Sequence, residues 1–125
     1  MSRRTERVAE QVRAELARLL REEVTDPRIQ LVTLTRIDVS PDLGSARVFW
    51  STPAADDAEG ARGVGEGLES AAPFLRRRLA RLLPVKRVPA LYFHYDPSLA
   101  LGERTLALLR DLSDEADGEP PDGQD

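Results

Sequence analysis

The stretch SAAPFLRRRLARLLPVKR, residues 70–87, decides how this chain reads. Helical periodicity carried by Val64, Leu68 and Ala71 meets Ala72-Pro73, resumes in Phe74, Leu75, Leu79, Leu82 and Leu83, and stops at Pro84. Proline inside a helix deletes one N–H and crowds the preceding turn, at a cost of about 3 kcal/mol if the helix continues straight. The spacing therefore predicts a kink or a split at Ala71, Ala72 and Pro73. A second helix starting at Pro73 would turn the N–H groups of Phe74, Leu75 and Arg76 outward. Arg76, Arg77, Arg78, Arg81, Lys86 and Arg87 follow in a run that holds no acid. Free donors beside clustered guanidinium groups suit a phosphate backbone. The plainer reading is a bend that wraps the helix over a sheet, with the arginines as its solvated face. Surface helices usually mix charge signs to gain i to i+4 pairs, and the lack of acids here points to negative charge supplied from outside.

The flanking segments supply the rest of a small domain. Val8, Val12, Leu16, Leu19, Leu20 and Val24 recur at spacings of three and four, which predicts a helix over Thr5 to Val24, capped by Thr5 and ended by Asp26-Pro27. Leu31 to Val39 and Ala46 to Ser51 are rich in β-branched residues and read as two strands joined by the turn-forming Ser40-Pro41-Asp42-Leu43-Gly44-Ser45. The apolar phase changes between Leu34 and Ile37, which predicts a bulge. Thr52 to Gly67, with Pro53 and four glycines among acids, reads as a loop. Val88 to Tyr95 is a third strand, with Leu91, Phe93 and Tyr95 on one face and Ala90, Tyr92 and His94 on the other. Gly102 to Leu112 is a short closing helix. The expected fold is α+β: a three-stranded sheet covered by helices on one face, the other face open to water or a partner.

The 125 residues carry 18 bases and 22 acids, a net charge of −4. That balance conceals a division. Residues 1–112 hold all the bases and 16 of the acids, a balance of +2, whereas residues 113–125 hold six acids and no base. The reading is one domain over 1–112 followed by a disordered acidic tail over 113–125. Of the bases, 17 are Arg and one is Lys86. The absence of cysteine excludes disulfides, thiolate metal sites and cysteine nucleophiles. No apolar run approaches the roughly 20 residues of a membrane span, and the first ten residues lack the apolar core of a signal peptide. A soluble, cytoplasmic protein is expected.

Five segments, taken in order, resemble bacterial ribosome-binding factor A: RRTERVAEQVRAELARLLREEVTDPR (3–28), VTLTRIDVSPDLGSARVFWS (32–51), LESAAPFLRRRLARLLPVKRVPALYFHYD (68–96), Asp96-Pro97-Ser98 and Gly102. The likeness covers residues 3 to 112. It implies a type II KH domain in which an interrupted helix, usually marked Ala-X-Gly, replaces the glycine-rich phosphate loop. Here that position reads Ala71-Ala72-Pro73, so proline imposes a bend that glycine would only permit, and one N–H is lost. The resemblance further implies a non-enzymatic, monomeric assembly factor that binds 16S rRNA and free 30S subunits, assists late rRNA maturation and processing, and serves growth in the cold.

On residues alone, the RNA-binding candidates are Arg76, Arg77, Arg78, Arg81, Lys86 and Arg87, with Arg3, Arg4, Arg7 and Arg28 second. Trp50, Tyr92 and Tyr95 are either base-stacking or core aromatics. His94, Asp96 and Ser98 match a triad in composition only. No nucleophile elbow is present, and Asp-Pro-Ser is a good turn and helix cap. Asp56, Asp57 and Glu59 lack the spacing of a calcium loop, and there is no phosphate-binding glycine loop. No cofactor, metal or small-molecule substrate is expected. The rival reading is a protein-interaction module docking a polypeptide through the open sheet face or the kinked helix.

Overall fold

The computed structural model describes residues 2–29, 31–53, 55 and 57–118. Its elements are α1 (Arg3–Glu22), a 3-10 turn (Pro27–Ile29), β1 (Thr33–Val39), β2 (Ser45–Ser51), α2 (Arg62–Leu82), β3 (Ala90–Tyr95) and α3 (Ser98–Gly118). The sheet order is β1-β2-β3, with β1 and β2 antiparallel and β2 and β3 parallel. α1 packs on β1 and α2 on β3, so both helices lie over one face. Val12, Leu16, Leu19, Val48, Leu68, Leu75 and Leu79 are fully buried between the layers. This is the expected α+β sandwich, built by apolar stripes that only another layer can cover.

The hairpin forms as expected, and Leu43 takes a positive φ of 60° in its turn. A register shift between Leu34 and Arg36 places the bulge at Thr35. The bulge frees Thr35 to donate its hydroxyl to Asp96 at 2.5 Å, tying an edge strand to the start of α3. Asp96 also accepts the Ser98 N–H at 2.9 Å, which gives it the capping role expected of that turn. These two bonds, in that order of effect, lower the pKa of its carboxyl.

Four expectations are corrected. Ser2, not Thr5, caps α1: its hydroxyl accepts the Thr5 N–H at 3.1 Å, while Thr5 itself is buried. Of the expected kink or split, the split does not occur, because α2 is one helix of 21 residues with Pro73 inside it. No new helix begins at Pro73, so the outward N–H groups expected at Phe74, Leu75 and Arg76 are not a helix terminus. Packing on both sides of the proline, by Leu68 before it and Leu75 and Leu79 after it, outweighs the local penalty. The glycine-rich stretch expected to be a loop is helical from Arg62 onward. The closing helix runs to Gly118 rather than Leu112, since nothing between them breaks a helix; residues 119–125 of the expected tail lie outside the described residues. The leucines of α3 do not cover the sheet: Leu106, Leu108, Leu109 and Leu112 are 53–63% exposed.

Of the glycines inside α2, Gly67 has a packing reason. A Cβ on Gly67 would meet Ile29 Cγ2 at 2.8 Å, and one on Gly65 would meet Trp50 Cζ2 at 3.5 Å, so the helix approaches the 3-10 turn more closely than a side chain at Gly67 allows. Gly63 faces open space. Gly67→Ala is expected to destabilise the protein by about 1–3 kcal/mol through overpacking, despite its better helix propensity. Gly63→Ala is expected to stabilise by up to about 1 kcal/mol. Urea unfolding of the two variants checks the pair, and equal effects would disprove the close approach.

Candidate nucleic-acid interface

β3 is an edge strand, and α2 runs beside it. Between them lies a groove whose wall is Ala72, Pro73, Arg76, Arg77 and Ala80 from α2, facing Ala90, Leu91 and Tyr92 from β3. Lys86 and Arg87 close one end, and Glu69 is the acid in its lining. Arg76 reaches across and donates from Nη2 to the Val88 carbonyl at 3.3 Å, which fixes its guanidinium over the groove. An apolar floor flanked by cations is the form that a stacked, charged strand requires.

Lys86 and Arg87 also line a second cleft of about 800 Å³, with Arg3, Arg4, Arg7, Val8 and Gln11 of α1 and Asp42 and Leu43 of the hairpin turn. The two clefts share these residues because the segment after Pro84 crosses from the end of α2 toward the hairpin. Together they form a band of seven cations, Arg3, Arg4, Arg7, Arg76, Arg77, Lys86 and Arg87, with two carboxylates, Glu69 and Asp42. Asp42 is engaged already: the Ser40 hydroxyl at 2.7 Å and the Gly44 N–H at 2.9 Å lower its pKa, with Arg87 adding a smaller electrostatic effect. Arg3 and Arg4 sit at the start of α1, where the helix dipole disfavours positive charge. An external anion would relieve that repulsion.

Three sequence candidates fall elsewhere. Arg78 turns from the groove and grips Glu23 with Nε at 2.9 Å and Nη2 at 3.1 Å, clamping α2 to the end of α1. Arg18 joins the same carboxylate at 3.4 Å. The Arg78 bond is the main cause of the lowered Glu23 pKa. Arg28 folds onto Asp26 through Nε and Nη2, the shortest contact being 2.7 Å, so its charge is matched within its own turn. Arg81 is exposed and lines neither cleft. Helical spacing separates these side chains: Arg76 and Arg77 face β3, while Arg78 projects toward α1.

Trp50 is 2% exposed and meets Tyr95 edge-on at 5.3 Å, so both belong to the core side. Tyr92 is 55% exposed. His94 stacks on Phe49, an aromatic that the sequence reading passed over. Strict alternation along β2 put Phe49 opposite Trp50 and was the signal that it faces outward. Among the described residues no group of acids and histidines is arranged to hold a metal ion, and no helix is long and apolar enough to cross a membrane. Asp56 lies outside the described residues.

The family model described as ribosome-binding factor A matches residues 4–109. The ribosome-binding factor A of Pseudomonas syringae pv. syringae is 45% identical over 106 residues, covering 85% of this chain and 77% of that one. The crystal structure of ribosome-binding factor A from Thermus thermophilus superposes with a TM-score of 0.64 at 24% identity, covering 73% of this chain and 93% of that one. A homology model of the Thermus thermophilus factor, fitted into a cryo-EM map of its complex with the 30S subunit, gives a TM-score of 0.55 at 21% identity, covering 76% and 93%. At those identities the solved structures speak to the fold, which they share with this chain.

Proposed function

The chain belongs to the ribosome-binding factor A family, and on that premise we propose that it binds the small (30S) ribosomal subunit through 16S rRNA and assists late maturation and processing of that RNA. The observation that carries this reading is the convergence of seven cations from three separate segments on one band with two carboxylates. A folded part with so little net charge does not concentrate cations on one side for solubility alone. The Thermus relative seen on a 30S subunit supplies the partner class.

Arg76, Arg77, Lys86 and Arg87 hold the phosphates along the groove, and Arg3, Arg4 and Arg7 continue the track over the start of α1. Ala72 and Pro73 form the groove wall, where the absence of a bulky side chain lets a backbone approach closely. The protein acts as a cytoplasmic monomer without a cofactor, by occupying RNA rather than by altering bonds. Service to growth in the cold fits a factor that holds RNA while misfolded pairings are long-lived.

Co-sedimentation with purified small subunits over a salt series tests the reading. Four phosphates engaged on a single strand give a slope of log K against log salt of about −3. Binding that does not change with salt would remove the band from the contact surface. Capture of the protein by a nuclease-resistant partner would replace RNA with a polypeptide.

A further inference from the structure

The open face of the sheet is not a blank polar surface. The strand register places two rows of side chains at its centre: Asp38, Arg47 and Tyr92 in one, and Arg36, Phe49 and His94 in the other. In the second row the rings of Phe49 and His94 stack with centroids 5.4 Å apart and planes inclined by 29°. The Arg36 guanidinium carbon lies 4.2 Å above the Phe49 ring centre, and that of Arg47 lies 5.9 Å from it. Asp38 pairs with Arg36 at 3.2 Å and with Arg47 at 3.8 Å, so one carboxylate serves two guanidinium groups. Both arginine side chains remain more than 60% exposed, and Tyr92 is 55% exposed. This part of the face is therefore open to solvent, whereas Ser51 at its end is buried.

Tyr92 also lines the basic groove. A strand that leaves the groove over the edge of β3 passes Tyr92 and then meets Arg47, Phe49, His94 and Arg36 without crossing any acid but Asp38. We propose that this face is a stacking platform for two successive unpaired bases of a nucleic-acid strand whose phosphates lie in the groove, one base on Tyr92 and one on His94. The inference rests on the RNA reading above and specifies a second part of the contact. Flat rings backed by guanidinium groups match the π faces of bases, which any sequence supplies. A docked polypeptide would require an apolar anchor pocket, and the rings here lie on an open surface.

Fluorescence anisotropy with a 12-nucleotide single-stranded RNA, and with the same strand carrying abasic sites at successive pairs of positions, tests the proposal. The abasic pair that falls on the platform is expected to weaken wild-type binding about 10-fold or more. The double variant Tyr92→Ala with His94→Ala is expected to show the same loss on intact RNA, indifference to the abasic sites, and an unchanged salt slope. Tyr92→Phe with His94→Phe keeps the ring faces and is expected to bind as wild type does, which separates stacking from folding. If the alanine variant binds intact RNA as tightly as wild type, while the salt slope stays steep, the platform is overturned and the basic band survives. Failure of wild type to bind RNA at low salt would overturn both. If the alanine variant loses small-subunit binding but not oligonucleotide binding, the face contacts a ribosomal protein, and the platform is again overturned.

Discussion

Lys86→Glu combined with Arg87→Glu is expected to weaken association with small subunits on the order of 100-fold while leaving the fold intact. These two residues are the ones shared by the α2–β3 groove and the cleft under α1, so reversing them cuts the cationic band at its centre. Loss of two charge-assisted contacts at about 1.5 kcal/mol each weakens binding on the order of 100-fold. The salt slope should shrink with it, from about −3 for four phosphates toward about −1.4 for two. Both side chains are exposed, so unfolding free energy should move by no more than about 0.5 kcal/mol. Arg78→Glu is the contrasting variant. It sets a second carboxylate against Glu23, breaks the clamp between α1 and α2, and is expected to lower the unfolding temperature with little change in the salt slope of what remains folded. If Arg78→Glu lost subunits without losing stability, the division between groove and clamp would be wrong.

The second large effect is one of stability. Pro73 has no N–H to donate to the Glu69 carbonyl, yet α2 passes through it unbroken. Pro73→Ala restores a donor at that turn and removes the ring from the preceding one. An interior proline costs up to about 3 kcal/mol relative to alanine, so a gain of about 1–3 kcal/mol is expected, with a rise of roughly 4 °C in Tm for each kcal/mol at this size. Alanine keeps the groove wall small and apolar, so RNA affinity should stay within about 3-fold. Calorimetry with a parallel binding titration checks both. A fall in Tm would show instead that the proline bend is what lets Leu68, Leu75 and Leu79 all seat on the sheet.

The sequence alone was a good guide wherever a local pattern decides the outcome. Alternation and turn residues determined the three strands, the hairpin and the bulge, because each depends on neighbours a few positions away. The apolar periods of α1 and of the second half of α2 determined which faces are buried. Family membership, too, was legible in segments whose order carries the signal. Positive charge after Pro73 was visible as a run, but a run is one-dimensional. Which of its members share a groove depends on rotation about the helix and on what packs alongside, so Arg76 and Arg77 could not be told from Arg78 until Glu23 was placed beside α2.

Tertiary packing decided the remainder. Gly63, Gly65 and Gly67 weaken a helix by intrinsic propensity and were read as loop, yet the stretch is helical, with Val64 and Leu68 buried and Gly67 closely approaching Ile29. Pro73 was read as a kink or a split for the same local reason, and the split was overruled in the same way, since burying leucines on both sides of it outweighs one absent hydrogen bond. The union of Arg3, Arg4 and Arg7 with Lys86 and Arg87, far apart along the chain, and the pairing of Phe49 with His94 exist only after the sheet has formed. Short-range preferences are written in adjacent residues. Charge convergence is a property of distances in space, and only the folded chain sets those.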